Sequence, residues 1–258
     1  MQKNELKRRL KAGEAVIGSW LSVAHPTIAE IMGQAGFDFL IIDMEHGILD
    51  IEGVHSLVLT LAGTAASSLV RVPWNDPVIV KRVLETGTMG ILVPQVNSAQ
   101  EVEQAVRAVR YPPQGIRGIG CQRAAGFGAW FDEYLSSANE ELVTAVQIET
   151  ASALENIDKI LSVEGLDLIF IGANDLSASM GLFNQPQHPQ VQEAIRHILA
   201  SAQKANVPAG LMASDPDDAN ARMAEGFQFV GLGHDVGLLS STCRDLCRRV
   251  TRDVFPAR

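Results

Sequence analysis

The 258-residue sequence has few cysteines, no excess of basic charge and no long apolar run. Its three cysteines, Cys121, Cys243 and Cys247, are too few for a disulfide framework, which favours a reducing, cytoplasmic setting. The 30 acidic residues outnumber the 21 basic ones, and this net charge of −9 argues against a nucleic-acid partner. No stretch approaches the roughly 18 uninterrupted apolar residues of a membrane span, and no apolar signal segment follows the basic N-terminus. We therefore expect a globular protein without membrane association.

Eight short apolar runs recur along the chain, and segments with helical spacing separate them. Several runs, such as residues 40–42 and 168–171, are apolar at consecutive positions, which is typical of parallel strands covered on both faces. Eight such alternations over about 250 residues predict an α/β protein with one (β/α)8 TIM barrel over residues 1–258. An open, doubly wound sheet is the alternative, because alternation alone does not show that the sheet closes. The runs are 15–20, 39–43, 69–72, 90–94, 145–149, 168–172, 208–212 and 229–233.

Residues 111–139 interrupt this pattern with a long segment rich in glycine and proline. Connections inside a compact domain are usually a few residues long, so a segment of this length indicates a functional loop. Its aromatic residues, Phe127, Trp130, Phe131 and Tyr134, give it apolar surface to bury. We therefore predict a long loop that contributes to a subunit interface.

Polar side chains lie at the carboxyl ends of the predicted strands, where a TIM barrel places its active site. Glu149 and Asp175 offer oxygen ligands of the kind that suit Mg²⁺ or Mn²⁺ better than Zn²⁺. His46 is a proton carrier at neutral pH, and Arg71 is a cation that stabilises a developing oxyanion. Each residue alone is equally explained by an ion pair or a helix cap. Their convergence on one rim favours enolate chemistry on a 2-oxo acid.

The order of longer motifs resembles the HpcH/HpaI family of class II pyruvate aldolases over nearly the whole chain. The family resemblance implies a barrel of the phosphoenolpyruvate/pyruvate type whose last helix packs on a neighbouring subunit. It also implies a homo-oligomer, typically a hexamer built from dimers. The motifs that carry it are IGSWLSVAHPTIAEIMGQAGFDFLIIDMEHG, VRVPWNDPVIVKRVLETG, RYPPQGIRGIG, VQIET, VEGLDLIFIGANDLSASMG, HPQVQEAI and GFQFVGLG.

The resemblance also implies roles for individual residues. His46 matches the family's catalytic histidine, and Glu85 matches the acidic residue, commonly Asp, that raises the basicity of this histidine. The phrase after the sixth strand is Gly-Ala-Asn-Asp here, whereas the family commonly has Gly-Pro followed by a small residue and Asp. The implied cofactor is a divalent cation (Mg²⁺, Mn²⁺ or Co²⁺), with no organic cofactor. The remaining matches are Arg71 for transition-state stabilisation, Glu149 and Asp175 for the metal, and Arg71, Gln147, Gly172, Asn174 and Asp175 for the substrate.

These residues predict an aldolase, a carbon–carbon lyase that reversibly cleaves a 4-hydroxy-2-oxo acid into pyruvate and a small aldehyde. The family resemblance implies a substrate of the 2-keto-3-deoxy sugar acid or hydroxy-oxo-heptanedioate type, and the metal would stabilise the enolate. No lysine ends any of the eight runs, which favours a metal-dependent enzyme over a Schiff-base enzyme. The aldehyde is left open, with Trp74, Phe127 and Trp130 as candidates for shaping its pocket.

Two other functions are compatible with the sequence. An acyl-CoA lyase of the citramalyl-CoA or malyl-CoA type would need a basic groove for the nucleotide phosphates, and its only candidates are Arg110, Arg117 and Arg123. A non-catalytic protein that binds a 2-oxo acid would be expected to have lost a metal ligand. Neither Glu149 nor Asp175 is lost, which favours the aldolase.

Overall fold

The computed structural model describes residues 3–250 and contains a closed barrel of eight parallel strands. Each strand pairs with the next along the chain, and the last pairs with the first. This closure confirms the predicted (β/α)8 barrel and excludes the open sheet. The strands are β1 (Val16–Leu21), β2 (Phe39–Asp43), β3 (Ser67–Arg71), β4 (Gly90–Val93), β5 (Val143–Ile148), β6 (Leu168–Ile171), β7 (Ala209–Ala213) and β8 (Phe229–His234).

Helices connect the strands, and most begin or end at residues whose chemistry specifies the boundary. Asp76 caps α4 and is followed by proline, whose fixed φ suits the first helical position. Ser98 accepts the Glu101 N–H at the start of α5, as the capping pattern predicts. The helices are α1 (Glu5–Lys11), α2 (Pro26–Gly33), α3 (Ile51–Leu61), α4 (Pro77–Glu85), α5 (Ala99–Val109), α6 (Phe131–Glu141), α7 (Ala151–Glu155), α8 (Ile157–Leu161), α9 (Ala173–Ser179), α10 (Pro189–Ala205), α11 (Pro216–Glu225) and α12 (Asp235–Arg249).

Side chains alternate along each strand between the barrel interior and the helical layer. On β2, Phe39 and Ile41 belong to the interior cluster, whereas Leu40 and Ile42 pack in the cluster under the helices. This period of two follows from the pleat of a strand. Asp43 lies two residues after Ile41, and Arg71 lies two residues after Leu69, so both share the inward-facing phase of their strands. The interior is therefore apolar in its lower layers and charged in the layer at the carboxyl ends.

Helix α1 closes the opposite, N-terminal end of the barrel. Leu6 and Leu10 are buried in the interior cluster. Lys7 is also buried, and its ammonium group donates to the Leu142 carbonyl at 2.6 Å and to Asp167 at 2.9 Å. Burial lowers the pKa of Lys7, and the neighbouring Asp167 acts in the opposite direction. Among residues 3–250, α1 therefore covers this end of the barrel, and the opposite end, at the carboxyl ends of the strands, is the open one.

The prediction that residues 111–139 form a loop is wrong in its second half. A 3₁₀ helix spans Arg123–Gly128, and α6 begins at Phe131. Tyr134 and Ala138, one turn apart on α6, are buried in the core of the same chain. Phe127 and Trp130 are exposed, so only part of the aromatic surface proposed for an interface is free to contact a partner.

Helix α12 lies mostly outside the core. Its main contacts are with β1 and β8, and Leu238, Leu239 and Leu246 are exposed. Asp235 anchors its start by accepting the backbone N–H groups of Ser22 and Val23. All three cysteines are free and exposed. Within residues 3–250, the helices are too short or too polar to cross a membrane.

Candidate active site

A cavity of about 620 Å³ opens at the carboxyl ends of the strands. We call it the mouth cavity. Side chains from β1, β2, β3, β5, β7 and β8 and from the segment after β6 line it, as the fold predicts for an active site. Six of the residues identified from the sequence are in this lining: His46, Arg71, Gln147, Gly172, Asn174 and Asp175.

Arg71 is held rigidly at the base of the mouth cavity. Its Nε and Nη2 atoms donate to the two carboxylate oxygens of Asp43, at 2.9 and 2.7 Å. The guanidinium carbon lies 4.3 Å from the ring centroid of Trp20, and Nη1 lies 3.0 Å from Glu45 Oε2. Because two carboxylates and an aromatic face hold it, the cation is fixed in place before any substrate binds.

Asp43 has a structural role that the sequence analysis did not assign. Besides binding Arg71, its Oδ1 accepts the backbone N–H groups of Glu45 and His46. One carboxylate therefore fixes both the arginine and the turn that carries the candidate proton carrier. This role of Asp43 is indicated in the sequence by its position two residues after Ile41, in the inward-facing phase of β2.

Glu149 lies beneath the mouth cavity, where it is 2% exposed. Its Oε1 accepts the Gln95 backbone N–H at 2.7 Å, and its Oε2 accepts a short hydrogen bond from the Gln147 amide. Burial raises the pKa of Glu149, and the nearby negative charges of Glu45 and Asp175 raise it further. Within residues 3–250, no cationic side chain forms an ion pair with this carboxylate.

Gly172 gives Glu149 access to the mouth cavity. A Cβ atom at this position would lie 2.7 Å from Glu149 Oε2 and 3.0 Å from the Gln147 amide nitrogen. Any larger residue would therefore occupy the space in front of the carboxylate. Gly172 leaves that space free for a bound ion or substrate.

Glu45 adds a further carboxylate that the sequence analysis left without a role. Burial raises the pKa of Glu45, although the neighbouring Arg71 acts in the opposite direction. Its buried Oε2 is an ion-pair partner of Arg71 but accepts no hydrogen bond within the described residues. Asp43, Glu45, Glu149 and Asp175 thus place four carboxylates near a single arginine.

His46 and Glu85 do not meet within one chain. The His46 side chain is 68% exposed, and its Nε2 lies 3.9 Å from Glu45 Oε2. Glu85 is the last residue of α4, which runs from the carboxyl ends of the strands towards the N-terminal end of the barrel. There its carboxylate pairs with the buried Arg117 at 3.1 Å, and it does not line the mouth cavity.

The residues proposed to shape the aldehyde pocket also lie elsewhere. Trp74 is exposed on the connection between β3 and α4, outside the cavity lining. Phe127 and Trp130 line a separate groove beside α1 and the loop before β3. The assignment of Trp74, Phe127 and Trp130 to the aldehyde pocket is therefore wrong, because none of the three lines the mouth cavity.

The donor atoms near Glu149 are suitable for a hard divalent cation. Glu149 and Asp175 supply carboxylate oxygens, and the surrounding carboxylates exceed the one arginine in charge. Mg²⁺ and Mn²⁺ prefer such oxygen ligands and usually retain water or bind substrate at their other positions. Residues 3–250 contain no cluster of three His, Cys, Asp or Glu side chains placed to hold a metal by themselves. The arrangement fits a cation that two protein carboxylates hold and that substrate completes.

Comparison with known proteins agrees with this description. The chain is 37% identical to a 5-keto-4-deoxy-D-glucarate aldolase from Klebsiella pneumoniae subsp. pneumoniae over 94% of its length and 95% of that protein. A crystal structure of an HpcH/HpaI aldolase/citrate lyase family protein from Burkholderia cenocepacia superposes with a TM-score of 0.92 at 34% identity, covering 95% of this chain and 98% of that one. An HpcH/HpaI aldolase from Desulfitobacterium hafniense superposes with a TM-score of 0.91 at 32% identity, covering 97% and 99%.

The barrel is closed, and an arginine and several carboxylates lie at its mouth. The protein is therefore a TIM-barrel protein with a polar site at the carboxyl ends of its strands. Within that class, the sequence profile of the family described as HpcH/HpaI aldolase/citrate lyase matches residues 16–242. The chain belongs to this family, which confirms the resemblance found in the sequence.

Proposed function

We propose that the protein is a divalent-metal-dependent aldolase that reversibly cleaves a 4-hydroxy-2-oxo acid into pyruvate and an aldehyde. The observation that carries the proposal is a fixed Arg71 and Asp175 in the lining of the mouth cavity, with the buried Glu149 directly beneath it. The relatives named 5-keto-4-deoxy-D-glucarate aldolase support a 2-keto-3-deoxy sugar acid as the substrate class.

Glu149 and Asp175 would hold the cation, which when bound supplies a Lewis acid for the charge that develops on the 2-oxo group. Asp43 binds the Nε and Nη2 atoms of Arg71, and the remaining Nη1 atom points towards Gln147 and Glu45. Arg71 therefore adds positive charge on the same side of the cavity. Gln147 is 3% exposed and donates its amide to Glu149, so it orients the carboxylate from within the barrel. Gly172 and Asn174 complete the wall around the 2-oxo acid.

His46 is the proposed proton carrier. In cleavage, the C4 hydroxyl loses its proton to His46 as the C3–C4 bond breaks and the aldehyde forms. The electron pair of that bond remains on the pyruvate fragment as an enolate, and a proton returned to C3 gives pyruvate. The exposed ring exchanges its proton with solvent between turnovers.

The acyl-CoA lyase is less well supported. Of its three candidate phosphate-binding residues, Arg117 is fully buried and paired with Glu85, and Arg123 donates to the Thr86 carbonyl. Neither Arg117 nor Arg110 lines the mouth cavity. No basic groove thus leads from the mouth cavity along these three arginines.

The proposal includes a homo-oligomer, with a hexamer as the expected form. The exposed leucines of α12 supply apolar surface that a neighbouring subunit would cover. Since Glu85 does not reach His46 in its own chain, we propose that the two residues meet between subunits. Light scattering tests the assembly, and a strictly monomeric, fully active protein would contradict it.

The experiment that tests the reaction follows pyruvate release from 5-keto-4-deoxy-D-glucarate. We expect activity with Mg²⁺ or Mn²⁺, loss of activity in EDTA, and recovery when the metal is restored. Glu149→Ala should remain inactive with added metal, whereas Glu193→Ala, which removes an exposed carboxylate on α10, should match the unmodified protein. Full activity of Glu149→Ala after exhaustive EDTA treatment would refute the metal assignment.

A further inference from the structure

The far wall of the mouth cavity is polar and is built by the ends of β7 and β8 and the starts of α10 and α11. Its side chains include Ser214, Gln192, Asp218, Arg222 and His234. The groups assigned to the 2-oxo acid lie at β3, β5 and the segment after β6. The far wall is thus the part of the cavity left for the aldehyde portion of the substrate.

Most polar groups of the far wall already have partners. Arg222 donates to Asp218 at 3.0 Å, to Glu225 at 3.2 Å and to Gln192 at 3.4 Å. Gln192 also donates to the Pro186 carbonyl, and Ser214 donates to Asp218. These contacts neutralise the arginine and fix the two neutral side chains, so they favour a structural role for this network.

His234 differs because its ring has no hydrogen-bond or ion-pair partner among residues 3–250. It ends β8, beside Trp20 in the register of the barrel, and its exposed side chain lines the cavity. Gln187 also has no side-chain hydrogen bond, but it lies on the exposed connection between α9 and α10 and not at a strand end. Among the far-wall side chains named above, His234 is therefore the one without a partner, and it lies at the end of a barrel strand.

Gly237 provides the surface on which the His234 ring rests. A Cβ atom at this position would lie 2.4 Å from the ring Cε1, 2.8 Å from Nδ1 and 2.9 Å from Nε2. Those distances are shorter than any real carbon contact, so the ring occupies the space that a side chain at 237 would fill. The imidazole therefore lies directly against the first turn of α12.

We propose that His234 is a specificity-determining residue that binds an oxygen substituent, hydroxyl or carboxylate, on the aldehyde portion of the substrate. The inference rests on the proposed aldolase function and adds the substrate class. A hydrogen-bonding site of this kind selects oxygenated aldehydes over aliphatic ones, because an aliphatic aldehyde leaves the ring unpaired. Gly237 is a positioning residue that acts through His234.

The test measures kcat/KM for aldol addition of pyruvate to matched aldehydes with saturating Mg²⁺. Glycolaldehyde and propanal differ by a hydroxyl in place of a methyl group, and succinic semialdehyde and pentanal differ by a carboxylate in place of an ethyl group. We expect His234→Ala to lower kcat/KM for the oxygenated member of at least one pair by roughly tenfold. Values for propanal and pentanal should stay within about twofold, and KM for pyruvate should not change.

Gly237→Ala provides the matched variant, because it keeps the histidine and displaces its ring. The φ of Gly237 lies outside the left-handed region, so alanine is compatible with the helix. We expect the same selective loss as in His234→Ala. Gly63→Ala, at a glycine whose Cβ would meet only the Thr60 carbonyl at 3.6 Å, should leave all rates unchanged.

The outcomes separate this inference from the proposed function. If the unmodified protein adds pyruvate to none of the aldehydes, the proposed function fails. If it does and His234→Ala lowers all four rates equally, or none of them, the specificity role is refuted. Which pair responds decides between a hydroxyl and a carboxylate as the ligand of His234. Melting temperatures close to that of the unmodified protein establish that the variants are folded.

Discussion

Replacing Glu149 by Gln should affect stability and metal response in opposite directions. The substitution keeps the side-chain size at a site that is 2% exposed, and the new amide oxygen can still accept the Gln95 N–H. Gln147 can turn its amide to accept from the new NH₂ group, which points its own NH₂ group at Arg71 in place of the oxygen that accepts at 3.4 Å. The variant therefore loses a buried charge but few contacts.

The expected size of the effect follows from burial. The pKa of Glu149 is raised, first by desolvation and then by Glu45 and Asp175, so the ionised carboxylate destabilises the metal-free fold at neutral pH. A gain of about 1 kcal/mol in the variant would raise Tm by about 2–4 °C in a chain of this size.

With metal bound, the unmodified protein should become more thermally stable than Glu149→Gln. At a concentration one hundred times Kd, a bound cation stabilises the unmodified protein by about 2.7 kcal/mol, or roughly 5–11 °C. Glu149→Gln should gain little. Scanning calorimetry after EDTA treatment and dialysis, with and without Mg²⁺, measures both effects, and Glu193→Gln serves as an exposed control. The reasoning is wrong if Glu149→Gln is less stable without metal and gains as much from Mg²⁺ as the unmodified protein.

Four further predictions concern other parts of the site and the barrel. Asp43→Asn leaves Arg71 buried without its bidentate partner, so unfolding in urea should show a loss of about 3 kcal/mol, together with a large fall in kcat. Burial lowers the pKa of Lys7, so in alkaline solution the unfolded chain binds more protons at this residue than the folded protein does. The contribution of Lys7 to the free energy of unfolding therefore increases with pH. Between about pH 8 and 10, the difference in Tm between the unmodified protein and Lys7→Met should shift in favour of the unmodified protein. His46→Ala should slow cleavage by roughly 10²–10⁴ while Mg²⁺ still raises Tm. Glu85→Gln should change the acidic limb of the pH–rate profile only in the assembled oligomer, and an unmoved limb would exclude it as a partner of His46.

The strand positions and most of the site were predictable because they depend on local patterns. The strand ends differ from the apolar runs by at most two residues, since a buried parallel strand is a nearly continuous apolar run. Arg71 and Gln147 were identified because each lies at a carboxyl end. Asp43 occupies the same inward phase and could have been recognised from it.

The remaining features depend on contacts that are distant in sequence. The sequence does not indicate helix α6, because the helix follows a segment rich in glycine and proline and its N-cap residue, Trp130, provides no side-chain cap. Its acidic first turn, Asp132 and Glu133, was the local sign of a helix start. The pairing of Glu85 with Arg117 and the free ring of His234 are set by tertiary packing, and no spacing rule specifies them.

The closed floor of the barrel has a kinetic consequence for the proposed reaction. Helix α1 and the apolar interior leave one exit, through the mouth that His46 and His234 border. Of the groups assigned to the metal and to pyruvate, Glu149, Gln147 and Arg71 are the most buried, at 2%, 3% and 8% exposed. The aldehyde, bound above them, blocks the way out until it departs. For the proposed reaction we therefore expect ordered release, with the aldehyde first and pyruvate last. In the cleavage direction, product-inhibition kinetics should then show that pyruvate competes with the substrate for the free enzyme and that the aldehyde does not.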